Sequence, residues 1–436
     1  MGALTVPRYP RPPASLVRRI LPSTVQRVFG GCMGPDGKYW INSFVAIQNS
    51  TNGLAFTSKV STSALGIASE SLYVNSAGYA FWVTDSSNTP PGSIGALQVS
   101  TTAAVSALTP VLCDTGDTPF VGPAPQTSTQ GWHFTQWGVK EVKRDCGLLK
   151  AGDIIMGSYH RNTGNVKCAY IYILRQVAGV WRINADPGTM KPYAETDGML
   201  GGDPFLNWNS AHDYGGRAEF VRHIHALLPP DENGWVWFSC GDNTDGVTGY
   251  MGNDPLLGYY RLNRINVSVA DHGVWECLTP LSGDKGYTSL FRRDDGNVLA
   301  GVDCSPTLQQ QTPPISTIDL YNGATGKFVR TVYTPPDAGI DGPIWDIVNL
   351  EGTREFYAVV ERQSGALSRG GLLYSKDNGE SWRLISRSAL NKSDHMWRDY
   401  DRLLHYEGVI PAAAPLGVII CQPDSSNDWT YYTITL

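Results

Sequence analysis

Two histidines separated by a single residue are the first candidates for chemistry in this sequence. His223 and His225 fall in a stretch that reads as a β-strand, so we expect both side chains on one face of that strand. Two imidazoles on one face could hold a metal ion or act as an acid and a base. The alternative is that one histidine packs in the core while the other hydrogen-bonds a neighbouring element. With His212 upstream, they form a candidate catalytic group.

A second candidate group is the consecutive set Tyr159, His160 and Arg161, which lies beside a turn. A polysaccharide lyase uses residues of these types, because an arginine neutralises the uronate and a histidine or tyrosine removes the proton at C5. A polar hairpin edge is the alternative interpretation. We include all three among the candidate catalytic residues.

Aromatic residues in polar, turn-rich segments form a third group. Sugar rings stack on exposed aromatic faces through their C–H groups, and arginines hold their polar substituents. Packing in the core accounts for most of the aromatic residues, but it does not explain why some have polar neighbours. The candidate ligand-binding residues are Trp132, Trp137, Trp208, Tyr214, Arg217 and Arg222.

Signals for a cofactor or metal are weak. The tract Gly241–Gly246 offers oxygen ligands for Ca²⁺ but lacks the spacing of an EF-hand loop, and an Asx-rich loop is the alternative. No P-loop, dinucleotide fingerprint, zinc-ligand spacing or nucleophile elbow occurs. The eight cysteines include no C-x-x-C pair and read as free thiols. We therefore expect no required cofactor and no metal centre.

The elements that must position these residues are short β-hairpins. From residue 28 to residue 436, aromatic and β-branched runs alternate with turn signals, and no long segment has helical periodicity. Evenly spaced hairpins over this length predict a closed or radial all-β architecture. The clearest turns are Pro35–Gly37, Asn75–Gly78, Asn233–Gly234, Asp294–Asn297 and Asn322–Gly326.

One turn carries a more specific pattern, S-x-D-x-G-x-x-W, formed by Ser375, Asp377, Gly379 and Trp382. Asp377 could cap backbone amides, Gly379 could supply a positive φ and Trp382 could pack in the next strand. The pattern resembles the Asp box, or BNR repeat, of sialidase-like β-propellers, in which it is a folding motif without chemistry.

This resemblance extends over about residues 210–390, where the order "RHxH, turn, W-x-W strand, GD" resembles a blade of such propellers. It implies a six- or seven-bladed β-propeller over residues 28–436. The F/Y-R-I-P motif of true sialidases is absent, so sialidase activity is not expected.

The N-terminal segment, residues 1–27, has a different character. It is rich in proline and predicts an extended arm, with a short helical turn at Ala14–Ile20. The first 35 residues contain five arginines and no acidic residue, while the whole chain has a net charge of −6. We expect the arm to dock on the chain's own acidic body or on a neighbouring subunit. Its partner-binding residues are Arg8, Arg11, Arg18 and Arg19.

The acidic body argues against nucleic-acid partners, and no apolar run of membrane-spanning length predicts membrane insertion. The start of the chain does not read as a signal peptide, and we expect a virion or extracellular location.

Together these features predict a glycan-recognising propeller that is a structural or receptor-binding component of a larger assembly, of the bacteriophage-tail or virion kind. Its partners would be a cell-surface or extracellular polysaccharide and, through the arm, other subunits. The alternative is a glycoside hydrolase or polysaccharide lyase with its site at the mouth of the propeller channel; a protein-binding scaffold is a third. We favour a protein without catalytic activity.

Overall fold

The computed structural model describes residues 16–20, 28–43, 46–61, 71–83, 96–113, 117, 119–120, 132–147, 149–157, 159–160, 171–183, 220–244, 261–268, 275–278, 286–303, 317–335, 342–360, 371–387, 400–421 and 430–436. Within these ranges the chain forms thirty-one β-strands and no helix, and so no helix long and apolar enough to cross a membrane. The predicted all-β class is confirmed.

The described strands form seven sheets, numbered here in chain order. Sheet 1 has the strand order β2 (Val28–Met33), β3 (Tyr39–Ser43), β4 (Ala46–Ser50), β5 (Thr57–Ser61). Sheet 2 has the order β6 (Tyr73–Val74), β7 (Ala80–Val83), β8 (Leu97–Ser100), β9 (Leu108–Pro110). Sheet 3 has the order β11 (Val139–Glu141), β12 (Ile154–Gly157), β14 (Ile171–Val177), β15 (Val180–Ile183).

Sheets 4 and 5 follow the same plan, with two additional short strands at the edge of sheet 4. Sheet 4 has the order β10 (Trp132–His133), β13 (Tyr159–His160), β16 (Phe220–Leu228), β17 (Trp235–Thr244), β18 (Arg261–Asn266), β19 (Trp275–Cys277). Sheet 5 has the order β20 (Gly286–Arg292), β21 (Val298–Asp303), β22 (Ile318–Tyr321), β23 (Phe328–Tyr333).

Sheets 6 and 7 complete the set. Sheet 6 has the order β27 (Arg383–Arg387), β26 (Gly371–Ser375), β25 (Phe356–Val360), β24 (Ile344–Leu350), β29 (Val409–Ile410). Sheet 7 has the order β28 (Tyr400–Leu403), β30 (Leu416–Cys421), β31 (Thr430–Thr435), β1 (Leu16–Ile20).

Hydrogen bonds between residues in or near the first strands join neighbouring sheets. The Ser71 hydroxyl donates to the Phe134 carbonyl at 3.1 Å, between sheets 2 and 3. The Thr288 hydroxyl donates in the same way to the Ile344 carbonyl at 2.9 Å, between sheets 5 and 6. The outer strands β5 and β23 are largely exposed, so the first strand of each sheet lines the centre. This is a β-propeller, and the seven sheets agree with the higher of the two predicted blade counts.

The two ends of the propeller differ. In sheets 1, 2, 5 and 6, short turns join the first strand to the second and the third to the fourth at one end of the propeller, which we call the turn face. The turn before β17 is typical: Asp231 Oδ1 accepts from the Trp235 amide at 3.0 Å, and Gly234 has φ +84°. The remaining connections leave from the opposite end, the loop face, where longer segments such as residues 184–219 begin and end.

The turn from Ser375 to Trp382 lies on the turn face, between β26 and β27. Asp377 Oδ1 accepts hydrogen bonds from the Ser375 hydroxyl at 2.7 Å and from the Ser381 amide at 3.0 Å. Gly379 has φ +75°, and the Trp382 indole donates to its carbonyl at 3.1 Å. Ser375, Asp377, Gly379 and Trp382 therefore stabilise a hairpin far from the loop face. Its membership in the Asp-box class stays a prediction.

The N-terminal strand closes the ring. The expected helical turn at Ala14–Ile20 is wrong for the described part, because Leu16–Ile20 is the strand β1. It pairs antiparallel with β31, with Leu16 opposite Ile434 and Ile20 opposite Thr430. Arg18 and Arg19 thus belong to the fourth strand of sheet 7, because the backbone donors of β31 need a partner on that side. The outermost strand of the last sheet comes from the start of the chain.

We predict that deleting residues 1–20 destabilises the propeller, whereas deleting residues 1–15 does not. The longer deletion removes β1 and leaves one edge of β31 without its ladder, so we expect a loss on the order of 3 kcal/mol or more in the free energy of unfolding. Thermal and urea unfolding of the two truncated proteins measure this difference. Equal stability of the two would contradict ring closure by β1.

Candidate functional site

A repeated β-bulge shapes the lining of the central channel. In five of the described first strands, one extra residue lies opposite the second strand, near the loop-face end. A bulge redirects the side chain of the extra residue. The five bulge residues are Phe29, His225, Thr288, Trp345 and Asp401.

The bulge changes the expected relation between the two histidines. The register shifts between Ile224 and Ala226, so the simple alternation that would place His223 and His225 on one face is interrupted. His225 is 2% exposed, and its backbone carbonyl accepts from the Thr135 hydroxyl at 2.8 Å. His225 is therefore a buried residue of the channel lining.

Across the channel, His225 meets Trp345. Their rings are nearly parallel, with an interplanar angle of 10° and centroids 6.2 Å apart. The two residues belong to sheets 4 and 6, which are not neighbours in the ring, so this contact crosses the axis. Trp345 is partly exposed while His225 is buried. Together they form an aromatic floor beneath the loop-face opening of the channel, which we call the mouth.

Below this floor lies a buried polar cluster around Asp346, which is fully inaccessible to solvent. Its carboxylate accepts hydrogen bonds from the Trp137 indole and, at 2.6 Å, from the Leu403 amide. His405 Nε2 lies 3.7 Å from the same carboxylate. The Gly408 amide donates to His405 Nδ1 at 2.8 Å, so the neutral ring carries its proton on Nε2, facing Asp346.

Trp137 is a core residue in this arrangement. It is 2% exposed, and its ring lies 4.4 Å from the His405 ring as well as donating to Asp346. Its polar neighbours Thr135 and Gln136 are also buried, and they donate hydrogen bonds to the backbone carbonyls of His225 and His405. A sugar ring therefore has no open face of Trp137 on which to stack.

The segment 404–410 closes the channel at the turn face, and we call it the plug. It leaves sheet 7 and crosses the axis, and its β29 pairs in parallel with β24 of sheet 6. The Met33 amide of sheet 1 donates to the His405 carbonyl at 2.9 Å. Tyr73 of sheet 2 donates its hydroxyl to Glu407 Oε1 at 2.7 Å. The plug thus contacts sheets 1, 2 and 6 at the turn-face end of the channel.

An ion network holds the plug against sheets 2 and 3. Lys143 Nζ lies 3.0 Å from a Glu141 oxygen and 3.1 Å from a Glu407 oxygen. The Tyr406 hydroxyl donates to Glu141 at 3.0 Å, and the Ser76 hydroxyl donates to Glu141 at 2.6 Å. Burial by itself raises the pKa of Glu141, but the hydrogen bonds from Ser76 and the Lys143 ammonium lower it below its ordinary value. Glu141 therefore stays ionised beside the plug.

Lys140 is the least compensated charge in this region. It is 1% exposed, and its ammonium has no hydrogen-bond partner among the residues that the structure describes. The ammonium lies over the ring of Trp137, 4.8 Å from its centroid, and forms a cation–π contact. Burial lowers the pKa of Lys140 to about 8, opposed by the Glu407 carboxylate.

At the loop face, β10, β13 and β16 bring several predicted residues onto one sheet. Tyr159 lies opposite His133 on one side and opposite His223 on the other. His223 in turn lies opposite Gly241. We call these four positions the histidine row. Residues directly opposite on antiparallel strands share a face of the sheet.

The neighbouring row lies on the other face. Trp132 is opposite His160. Arg222 precedes His223 on β16, so its position belongs to the other face of the strand. We call this set the tryptophan row. The structure thus brings Trp132, Tyr159, His160, Arg222 and His223 together but divides them between two faces.

Other predicted residues lie outside the described ranges. Gly241–Thr244, the first part of the proposed calcium tract, continues strand β17 and does not form a loop there. Within the described ranges, no group of three or more histidine, cysteine, aspartate and glutamate residues could hold a metal ion. The residues outside the described ranges are Arg8, Arg11, Arg161, Trp208, His212, Tyr214 and Arg217.

Sequence reasoning missed the residues that shape the channel. Trp345 and Asp346 follow an isoleucine in an ordinary strand pattern, and nothing local marks the bulge. Lys140 and Glu141 could have been recognised from the sequence. They are adjacent charged residues between two valines in a strand pattern, which indicates a buried polar contact. His133 lay beside the predicted Trp132 but was not singled out.

No protein-family model matches the chain, and no curated protein matches it either. Among solved structures, it is similar to the extracellular domain of a hybrid two component system, BT3049, from B. thetaiotaomicron, with 10% identity and a TM-score of 0.49. That match covers 96% of this chain and 42% of the other. The WD40 repeats of RRP9 match with 8% identity and a TM-score of 0.49, covering 96% of this chain and 97% of the other.

The GH74 enzyme of Niastella koreensis matches with 10% identity and a TM-score of 0.48, covering 91% of this chain and 52% of that enzyme. Structural similarity at these sequence identities and TM-scores does not indicate what activity this chain has. The assignment of the fold rests on the chain's own sheets and their hydrogen bonds.

We predict that Asp346→Ala lowers the free energy of unfolding by about 2–5 kcal/mol, because the Trp137 indole and the Leu403 amide lose their buried acceptor. Asp346→Asn keeps one carbonyl oxygen as an acceptor, so we expect a smaller decrease in the free energy of unfolding. Urea unfolding measures both, with Asp117→Ala as a control at an exposed aspartate. If Asp346→Ala lowers the free energy of unfolding no more than the control does, the buried cluster does not stabilise the arrangement of the sheets.

We also predict a pH dependence that comes from Lys140. Its pKa is about 8 in the folded protein and higher in the unfolded chain. At a pH between these two pKa values, the unfolded state binds more protons than the folded state. The contribution of Lys140 to the free energy of unfolding therefore rises with pH above about 8, by about 3 kcal/mol in total. Below pH 8 the burial penalty is fully present. The stability of wild type relative to Lys140→Met should therefore increase from pH 7.5 to pH 10.

The matched control is Lys143→Met, because the pKa of Lys143 is raised and not lowered. Burial opposes this rise, but the Glu407 carboxylate and Tyr406 outweigh it. The stabilising contribution of Lys143 is therefore present at neutral pH and is lost only at high pH. Parallel pH profiles for wild type and Lys140→Met would contradict the assignment to Lys140.

Proposed function

We propose that the protein is a glycan-recognising β-propeller that binds polysaccharide in the mouth of its channel. The observation that carries this proposal is the partly exposed Trp345 stacked on the buried His225, in a channel that the plug closes at the other end. A flat aromatic face at the bottom of a closed cup suits the C–H face of a sugar ring.

The position of the floor also supports recognition of a large ligand. Trp345 lies near the loop-face end of β24, and the β10–β13 pair lies at the same end, on the channel side of β16. This position of strands β10 and β13 supports a contribution of Trp132 and Tyr159 to the rim of the mouth. A polymer that crosses the loop face could contact both levels.

We further propose that the protein is a structural or receptor-binding component of a larger assembly, of the bacteriophage-tail or virion kind, located in a virion or outside the cell. Strand β1 begins at the turn face, since Leu16 lies opposite Ile434. The chain therefore enters β1 at the end opposite the mouth, and we propose that Arg8 and Arg11 bind other subunits. Contacts with other subunits and with glycan would then use opposite ends of the molecule.

The class of propeller is part of the same proposal. The turn at Ser375–Trp382 supports a sialidase-like propeller with an Asp box, since its hydrogen bonds give Asp377 and Gly379 the roles that the motif requires. We propose no cofactor, no nucleic-acid partner and no membrane insertion; a calcium role for Gly241–Gly246 has weak support.

One observation favours the enzymatic alternative, a glycoside hydrolase or polysaccharide lyase at the mouth. Tyr159 lies directly opposite His223 in the β13–β16 ladder, so the two positions share one face of the sheet. In a lyase reaction the imidazole would take the C5 proton, the electron pair would form the C4=C5 double bond, and the phenol would protonate O4 as the C4–O4 bond breaks. Binding without products would argue for the first proposal.

We predict that Trp345→Leu weakens retention of the bound polysaccharide about tenfold or more, because the stacking face is lost. The measurement is a pull-down of intact acidic and neutral bacterial polysaccharides, read together with new reducing ends and the absorbance of unsaturated uronate. Trp235→Leu is the matched control, since Trp235 is also partly exposed but lies on the turn face against Arg264.

The outcomes separate the alternatives. Retention by wild type and by Trp235→Leu, with loss in Trp345→Leu, supports glycan binding at the mouth. Products in wild type would favour the enzyme. No retention of any polymer, or equal retention by Trp345→Leu at unchanged thermal stability, would overturn the proposal.

A further inference from the structure

The plug contains a strained turn that a carboxylate holds in place. Glu407 has φ +52°, a left-handed conformation that is unfavourable for a residue with a side chain, and Gly408 follows it with φ +93°. The Glu407 carboxylate accepts from the Tyr73 hydroxyl at 2.7 Å and from the Glu141 amide. It also lies 3.1 Å from Lys143 Nζ. These contacts offset the strain and fasten the plug to sheets 2 and 3.

A buried ammonium lies beside the plug. Lys140 Nζ has no hydrogen-bond partner among the residues that the structure describes, and it lies over the Trp137 ring. The plug contacts the same ring, since the His405 and Trp137 ring centroids are 4.4 Å apart. A Cβ atom built on Gly408 would also lie 3.3 Å from the indole. The plug is therefore part of the wall that separates Lys140 from water.

The charged groups around Lys140 come from three parts of the ring. Glu407 of the plug and Asp346 of sheet 6 attract its ammonium, whereas Lys143, which follows β11 of sheet 3, repels it. Burial outweighs the attraction and lowers the pKa of Lys140 from its ordinary value of 10.5 to about 8. The closed plug therefore disfavours the protonated form of Lys140.

We propose that the plug is a pH-sensitive strap across the channel, which loosens when Lys140 is protonated and tightens when Lys140 is neutral. Opening the strap hydrates the ammonium, and Glu407 is the residue that holds the strap closed. Between pH 8 and pH 10.5 the open strap binds more protons than the closed one, so closure becomes more favourable as the pH rises through this range. Nothing in this mechanism requires a glycan at the mouth.

The experiment measures hydrogen exchange of backbone amides in the full-length protein. The Met33 and Asn349 amides donate to plug carbonyls, each at 2.9 Å, so their exchange reports opening of the strap. The Val302 amide of sheet 5 donates to Thr317 at 3.0 Å and reports opening of the whole propeller. Protection factors are calculated against an unstructured peptide at the same pH, because exchange itself depends on pH. We expect Met33 and Asn349 to be less protected than Val302 at pH 7, and about tenfold or more better protected at pH 9.5 than at pH 7.

Two variants change the strap in opposite directions. Lys140→Met removes the buried charge, so at pH 7 we expect the strap to be protected about tenfold or more above wild type, and this difference to shrink by pH 9.5. Glu407→Gln keeps the strained backbone without the charge, so protection at pH 7 should fall about tenfold or more. The matched control is Glu380→Gln, which changes a glutamate that is ion-paired with Arg293 away from the plug and should leave the strap as in wild type.

Three results would count against the strap. Equal protection of the plug amides and Val302 at every pH would mean that the plug opens only when the propeller unfolds, which overturns the proposal. A pH dependence that is absent in wild type, or unchanged in Lys140→Met, would remove Lys140 from the mechanism and overturn it as well. Unchanged protection in Glu407→Gln would show that the carboxylate does not hold the strap. The wild-type pH series needs no variant, so it decides the matter even if a variant fails to fold.

Discussion

The buried carboxylate of Asp346 is the contact on which the arrangement of the channel depends. It belongs to sheet 6, yet it accepts hydrogen bonds from Trp137 of sheet 3 and from the Leu403 amide of sheet 7. A buried carboxylate needs such donors, because removing the charge from water without them costs several kcal/mol. The requirement to satisfy Asp346 therefore draws three sheets together around the axis. His405 lies against the same carboxylate and ties the plug to it.

The repeated bulge explains how a ring of regular hairpins builds an irregular channel. Strands that alternate strictly would direct their side chains only towards the neighbouring sheets, where they pack in the core. One extra residue near the loop-face end of a first strand adds a side chain that meets the axis, as His225 and Trp345 do. Residues after the bulge return to the interfaces between sheets, as Ala226 and Val348 show by their complete burial. The fold can thus vary the channel lining without disturbing its core.

The sequence was a good guide to hairpins and a poor guide to contacts across the ring. Turn residues such as Asp231 and Gly234 act locally, so their pattern predicted the turn that forms. Trp137 was predicted as a sugar platform because its neighbours are polar, but those neighbours are buried and donate to the carbonyls of His225 and His405, which are distant in sequence. Partners more than two hundred residues apart in sequence, such as Trp137 and Asp346, leave no local pattern. The register that joins Tyr159 to His223 is equally non-local.

The residue that organises the channel and the residue that faces its mouth are consecutive in the chain. Asp346 is held by donors from two other sheets, and Trp345 immediately precedes it as the extra residue of the bulge. Its backbone is therefore fixed on one side by the buried cluster, while the Ile344 carbonyl on its other side accepts hydrogen bonds from Thr288 and Ser289. His225 then limits the orientation of the indole from across the axis. A binding surface gains affinity when its groups are ordered before the ligand arrives, because less conformational freedom is lost on binding. The polar cluster beneath the floor thus contributes to recognition without touching a ligand, by holding Trp345 in place.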